Sequence, residues 1–464
     1  MLTPKTSALL QSFLRALPQS AAARLVKAVE VDRLQGGKIL PHDTILGALR
    51  PALSVRTERT PTPLRLFCTP FEDLLVQAQP REKQRGRIAR ASIPLVWRWL
   101  RETLIIDGAD LYASEIKRLV LAGRFDESAA RASEFWTFAS QEMRKAIDTN
   151  RAMVRVALQS DVAVADAEEM ALLLSAGADV VAIQKLLPKP VPQLNDELLH
   201  ALREIHDHVA ATQPDVAPYV AVIAMNRLEH PWEALKLPQL VTNQTQDTLI
   251  SLTDMGLVGD VLLARIEFHG NAVRATRHPV FDADEVVEHL AHFTELSSRI
   301  VKEIEMRRDG KWGKRLLADR AAVAETMDGL MERAPKEVLA MLPIHKSGSY
   351  GGGPLCADLS KPVDAEKSER GMRYGKLLVG SSRYATAGSF AASHKTALDD
   401  VNQHLLGYNE DLIKEMRVPE GERQPGTEHQ FELAAELTAL IFTAEEAEHL
   451  RRRARAATAP AVAA

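Results

Sequence analysis

The sequence predicts an all-α protein, a multi-helix array of helical hairpins joined by Pro- and Gly-rich straps. Three observations carry that prediction. Apolar residues recur at steps of three and four along most of the chain, the period of a helix with one buried stripe. Helix-start signals, an Asp, Ser or Thr followed three residues later by Glu or Gln, stand just before several of those runs. Aromatic residues make up only 5% of the 464 positions, so the core material is Leu, Val and Ala, which disfavours a β-rich fold.

The strongest element is a long antiparallel helical hairpin over about 283–334. Asp282 and Glu285 have the capping-box spacing, and Val286, Leu290, Phe293, Leu296, Ile300 and Ile304 form one stripe. The second arm carries Leu316, Leu317, Val323, Met327, Leu330 and Met331, with Pro335 and Pro343 bounding its far end. Between the arms, Arg307, Arg308, Lys311, Lys314 and Arg315 surround Asp309, Gly310, Trp312 and Gly313. The two glycines supply the positive φ angles that a reversal needs. A projecting tip with five cations and a Trp is a candidate partner-binding surface: Arg307, Arg308, Lys311, Trp312, Lys314 and Arg315. A solvated turn with Trp312 folded onto the arms is the plainer alternative.

Taken in order, 6–17 and 20–34 read as short amphipathic helices split by Pro18. Pro61, Pro63, Pro70 and Pro80 make 56–80 a strap, with Leu64 to Cys68 extended and buried. Cys68 beside Phe67 reads as core. Arg81, Lys83, Arg85, Arg87 and Arg90 form a second basic cluster before Trp97 and Trp99, whose rings should face inward. Helices follow to Leu187, with Asp126 and the Asp166–Glu169 pair as caps. The run Leu121–Ala129 resembles a single tetratricopeptide turn, but no second copy lies about 34 residues away.

Pro188, Pro190 and Pro192 mark a stiff linker. The expected organisation is an N-terminal helical domain (1–187), the linker 188–192, a central domain (193–343), a flexible loop (344–372), a C-terminal helical segment (373–456) and a disordered tail (457–464). Thr427–Gln430 and Thr443–Glu446 both have cap spacing, so the last segment reads as two helices. It ends in a third basic cluster, Arg451, Arg452, Arg453 and Arg455.

The chemistry is sparse. Gly371 to Leu377 is one residue short of a phosphate-binding loop, and Leu377 stands where the hydroxyl should be. Neither a G-x-S-x-G elbow nor an H-E-x-x-H motif occurs. Glu285, His289 and His292 share a helix face and form a candidate metal site for zinc or iron, although they flank the buried stripe and read more plainly as a solvated face. His42-Asp43 and His206-Asp207, the latter followed by His208, resemble the helical HD-type metal-dependent phosphohydrolases in that dipeptide only. That resemblance implies a metal-dependent phosphohydrolase, and the remaining ligands are not placed.

Two cysteines 288 positions apart form no metal motif or disulfide framework, which points to a reducing cytoplasm. Lys5 is followed by too short an apolar run for a secretory leader, and no stretch approaches 18 uninterrupted apolar residues. A net charge of −4 argues against a nucleic-acid coat over the whole surface. The reading is therefore a cytoplasmic, non-catalytic scaffold or adaptor that binds other proteins without a cofactor, with a homodimer through the hairpin arms as one form. Peripheral binding to anionic membrane or nucleic acid through the basic clusters is the alternative.

Overall fold

The computed structural model describes residues 10–14, 17–34, 37, 40–53, 62–77, 82–276, 278–346, 355–418, 422 and 426–458. Within them the chain is an all-α, multi-helix array, as the periodicity requires. Sheet is limited to two short pairs among the described residues. The strand β1 (Leu75–Val76) runs parallel to β2 (Ile88–Ala89), and β3 (Ile344–Lys346) runs antiparallel to β4 (Leu355–Ala357).

The chain divides into two compact units, Met1–Gln244 with Thr253–Val261, and Thr245–Leu252 with Leu262–Ala464. The Pro-rich segment 188–192, expected as a linker, lies inside the first unit. Val191 N–H donates to the Arg227 carbonyl, and the Val191 carbonyl accepts from Glu229 N–H. The prolines stiffen the segment, but Val191, between Pro190 and Pro192, pairs with Leu228 as an isolated bridge.

In the first unit, α1 (Gln19–Leu34) and α2 (His42–Leu53) pack around Val29, Leu46 and Leu49. Lys117 of α5 (Gly108–Leu121) reaches the buried Glu30 of α1 at 2.5 Å. The strap is not extended at Leu64. Pro63 occupies the first turn of α3 (Pro63–Cys68) and Thr62 caps it, a position where a missing N–H costs nothing. Phe67 is fully buried edge-on to Phe71. Beyond α4 (Ser92–Trp99), helices α5, α6 (Phe125–Leu158) and α7 (Asp161–Ser175) form the main packing layer. Trp99 is buried and Trp97 lies against Phe67, so both rings face inward as expected. Helices α8 (Gly177–Leu186), α9 (Asp196–Thr212), α10 (Ala217–Arg227) and α11 (Lys236–Thr242) complete the unit.

The acidic pair expected to cap a helix does something else. Ser160 caps α7, and Asp166 and Glu169 lie one turn apart in its buried middle. Lys83 Nζ donates to both carboxylates at 2.5 Å. Glu169 also accepts from Gly86 N–H and the Tyr219 hydroxyl, and Asp166 from Ala89 N–H and the Ser92 hydroxyl. Buried charges persist only with such full pairing. Lys83 of the second basic cluster, with Gly86, Ala89 and Ser92, therefore clasps residues 83–92 onto α7, and Arg85 joins them to Tyr219 of α10. Asp126 does not cap either, because α6 already starts at Phe125.

The second unit contains α12 (Asp247–Ile250), most of α13 (Leu257–Arg274), α14 (Ala283–Glu303), α15 (Lys311–Ala340), α16 (Ala365–Ser381), α17 (Ala391–Glu415), α18 (Thr427–Ile441) and α19 (Ala444–Thr458). Helices α14 and α15 are the two expected arms, and Asp282 caps the first as its spacing implied. They do not project. Helix α16 packs on both, α17 packs on α15, and Gly270 of α13 faces Phe293 of α14 and Val323 of α15. Helix α15 also continues through Pro335, held on either side by the buried Ala334 and Val338. Helix α16 begins at Ala365, capped by Asp364, earlier than the expected 373. The central part of the expected flexible loop (347–354) and most of the expected tail (459–464) lie outside the described residues.

Candidate functional site

The basic tip is built from the inside. Asp247, fully buried, accepts Arg307 N–H at 3.0 Å and fixes the start of the turn. A Cβ on Gly310 would lie 2.9 Å from Asp247 Oδ2, and one on Gly313 would lie 1.9 Å from the Arg307 carbonyl oxygen. Gly310 has φ −71° and Gly313 is helical, so these glycines serve close approach, not the positive φ expected of them. Trp312 is fully buried. Arg307 forks onto Asp309, whose carboxyl it holds below the usual range, and Arg315 pairs with Glu267 at 2.7 Å. Arg308, Lys311 and Lys314 remain exposed. Of the six candidate residues, then, the Trp is core, Arg307 and Arg315 are in ion pairs, and Arg308, Lys311 and Lys314 have exposed side chains.

The other cationic clusters are engaged in the same way. Arg85 donates to the Tyr219 hydroxyl and Arg87 to Gln84. Arg451 pairs with Glu432, Arg453 with Glu410 through two bonds, and Arg455 with Glu448. Arg81 lies outside the described residues.

His289 and His292 meet a third imidazole from another helix. His269 Nδ1 of α13 lies 2.9 Å from His289 Nδ1 of α14, and the His269 ring meets that of His292 at 4.9 Å, tilted by 36°. Phe268 stands edge-on to His269 and His289. Spacing of i, i+3 puts His289 and His292 on one face of α14, while α13 supplies the adjoining Phe268 and His269. A 2.9 Å contact between two ring nitrogens needs one protonated and one bare nitrogen, so the bond requires that at least one of the two rings be neutral. His269 is pushed down to about 4 by burial first, then by His292, His289 and Arg265. It is therefore neutral at pH 7.

Glu285 and Glu288 are largely exposed and reach His289 and His292 only at 4.0 and 3.9 Å. Among the described residues, no group of three or more His, Cys, Asp or Glu side chains is arranged to hold a metal ion. Of the candidate trio, His289 and His292 join a ring patch with Phe268 and His269, Glu285 stands at its edge, and Phe268 and His292 are open to solvent. Sequence periodicity missed His269 because it lies twenty positions before His289, on a different helix.

The His-Asp dipeptides engage different local partners. His42 bonds Asp32 at 2.7 Å and Asp43 pairs with Arg33. His206 is buried and meets Asp207 at 3.2 Å, while His208 lies 3.7 Å from Asp179. Gly371 and Gly375 are buried in the middle of α16 against Met341 and Leu440, where no phosphate-binding turn forms. The Cys68 thiol is pushed up to about 12, by burial and then by Glu72, which suits a core residue.

No helix among the described residues is long and apolar enough to cross a membrane. Comparison with family models, curated proteins and solved structures finds no match.

Proposed function

We propose that this chain is a helical scaffold or adaptor that binds another protein through the ring patch Phe268, His269, His289 and His292. One observation supports the reading: four rings on two helices joined by a chain of contacts through His269, with Phe268 44% exposed and the His292 side chain 51% exposed. Aromatic rings carry a large share of binding energy where they are enclosed by a partner. Glu285 and Glu288 give the patch an acidic rim, and a charged rim sets orientation and encounter rate. The basic tip contributes less to this reading, since its Trp is core and two of its arginines are paired within the chain.

The test is affinity capture from the source cell with full-length protein, wild type against the Phe268→Ala, His292→Ala double variant. Solution mass and thermal unfolding are measured alongside. Partners retained by wild type and lost by a variant of equal mass and melting temperature support the reading. An unchanged set of partners overturns it.

A further inference from the structure

The C-terminal three-helix packing of α17, α18 and α19 encloses a cleft of about 210 Å³, lined by Leu406, Asn409, Thr438, Phe442, Glu446 and Leu450, with the Glu410–Arg453 pair and His449 at its edge. Asn409 is 5% exposed, and its Oδ1 has no hydrogen-bond partner within the protein. Its orientation follows from the next bond. Thr438 Oγ1 donates to the Ala434 carbonyl at 2.7 Å, so it accepts from Asn409 Nδ2 at 2.9 Å, which leaves the amide oxygen as the open group. A buried carbonyl oxygen in that state calls for a donor.

We propose that this cleft binds a small organic ammonium. Asn409 Oδ1 accepts one N–H, the carboxylate of Glu446 supplies the countercharge, and Leu406, Phe442 and Leu450 enclose an apolar body. The charges favour a cation. Glu410 and Arg453 neutralise each other through two bonds of 2.8 and 2.9 Å, whereas the Glu446 side chain has no ion pair among the described residues. Its backbone N–H is held by Thr443, which fixes the first turn of α19. Size narrows the class further. The cleft has the room of about seven water molecules, below the several hundred Å³ of a drug-sized or nucleotide site. It fits one ammonium on a short chain or a single ring, either as a free amine or as the end of a lysine side chain. This site stands apart from the ring patch and does not depend on the scaffold reading.

The experiment is calorimetric titration of the full-length chain with 2-phenylethylammonium chloride, 2-phenylethanol and sodium phenylacetate, three probes alike in size and different in charge. The ammonium should bind, the alcohol about tenfold or more weakly, and the acetate not detectably. Asn409→Leu and Glu446→Gln should each weaken ammonium binding by about tenfold, with Glu446→Gln leaving the melting temperature unchanged because the side chain is exposed. N-acetyl-lysine amide as a fourth probe separates the two sources: tighter binding than the free amine assigns a partner's lysine, weaker binding a free amine. Equal binding of ammonium and alcohol, no binding of the ammonium at millimolar concentration, or binding unaffected by Glu446→Gln would each overturn the proposal.

Discussion

Acidification should find His269 before it finds the fold as a whole. The ordinary imidazole takes its proton at 6.5, and His269 waits until about 4, because burial and then the neighbouring His292, His289 and Arg265 oppose the charge. In the unfolded chain the ring binds its proton near the ordinary value. Stability linked to the neutral ring is therefore complete above pH 6.5, is lost as the pH falls towards 4, and changes no further below that. At about 1.4 kcal/mol per pH unit, the gap corresponds to roughly 3 kcal/mol. Solvent reaches part of the ring and screens the charge, so we expect roughly 1–2 kcal/mol. The groups facing the ring include His289, His292 and Arg265, with Glu285 and Glu288 on the rim. The direct assay is NMR of ¹³C-labelled histidine from pH 7.5 to 3.5, assigned with His269→Gln. Thermal unfolding of wild type and His269→Gln at pH 7 and 4.5 supplies the energetic counterpart, with wild type losing more on acidification. A His269 resonance that titrates near 6.5, or a stability difference that does not change with pH, would refute the burial argument.

The remaining predictions concern packing and charge. Trp312→Ala should cost about 3–5 kcal/mol, read from thermal or chemical unfolding, since the ring is fully buried. Arg308→Ala and Lys314→Ala, at exposed positions of the same tip, should each stay within about 0.5 kcal/mol of wild type. Lys83→Met should lower stability by about 3–5 kcal/mol at pH 7, because it leaves two buried carboxylates without their cation; a near-neutral result would show that water replaces the ammonium. Gly313→Ala should abolish the native turn, seen as lost hydrogen-exchange protection over 304–316, because its Cβ would collide with the Arg307 carbonyl.

Periodicity located the helices because a helix that buries one stripe writes it at i, i+3 and i+4, as Val286 to Ile300 do along α14. Local caps were legible for the same reason: Asp282 reaches backbone groups two and three residues away, and Thr443 reaches Glu446. Roles that depend on distant partners were not legible. Asp166 and Glu169 have the spacing of a cap, and only Lys83, more than eighty positions earlier, makes them a buried anchor. Thr427–Gln430 was misread likewise: the Gln430 amide donates to the carbonyls of Asp358 and Lys361, and Gly426 takes the cap position. At the ring patch, two of three imidazoles were visible as helix-face neighbours, and the third came with the packing of α13. Asn409 carried no signal at all, since an orphaned amide oxygen is a property of its surroundings.

The path of the backbone has a practical side. Because 245–252 belongs to the second unit and 253–261 to the first, the chain leaves and re-enters the first unit before settling in the second. No single cleavage point yields two whole halves. A fragment ending at 244 loses Leu257 and Val261, which wall in Gly86 where the backbone turns at φ +81° to meet Glu169. One ending at 261 carries 245–252 without the Arg307 amide that Asp247 binds, and strands that carboxylate. Deletion mapping of any activity should therefore lose signal at cut sites far from the residues responsible, and point substitutions are the cleaner instrument for this chain.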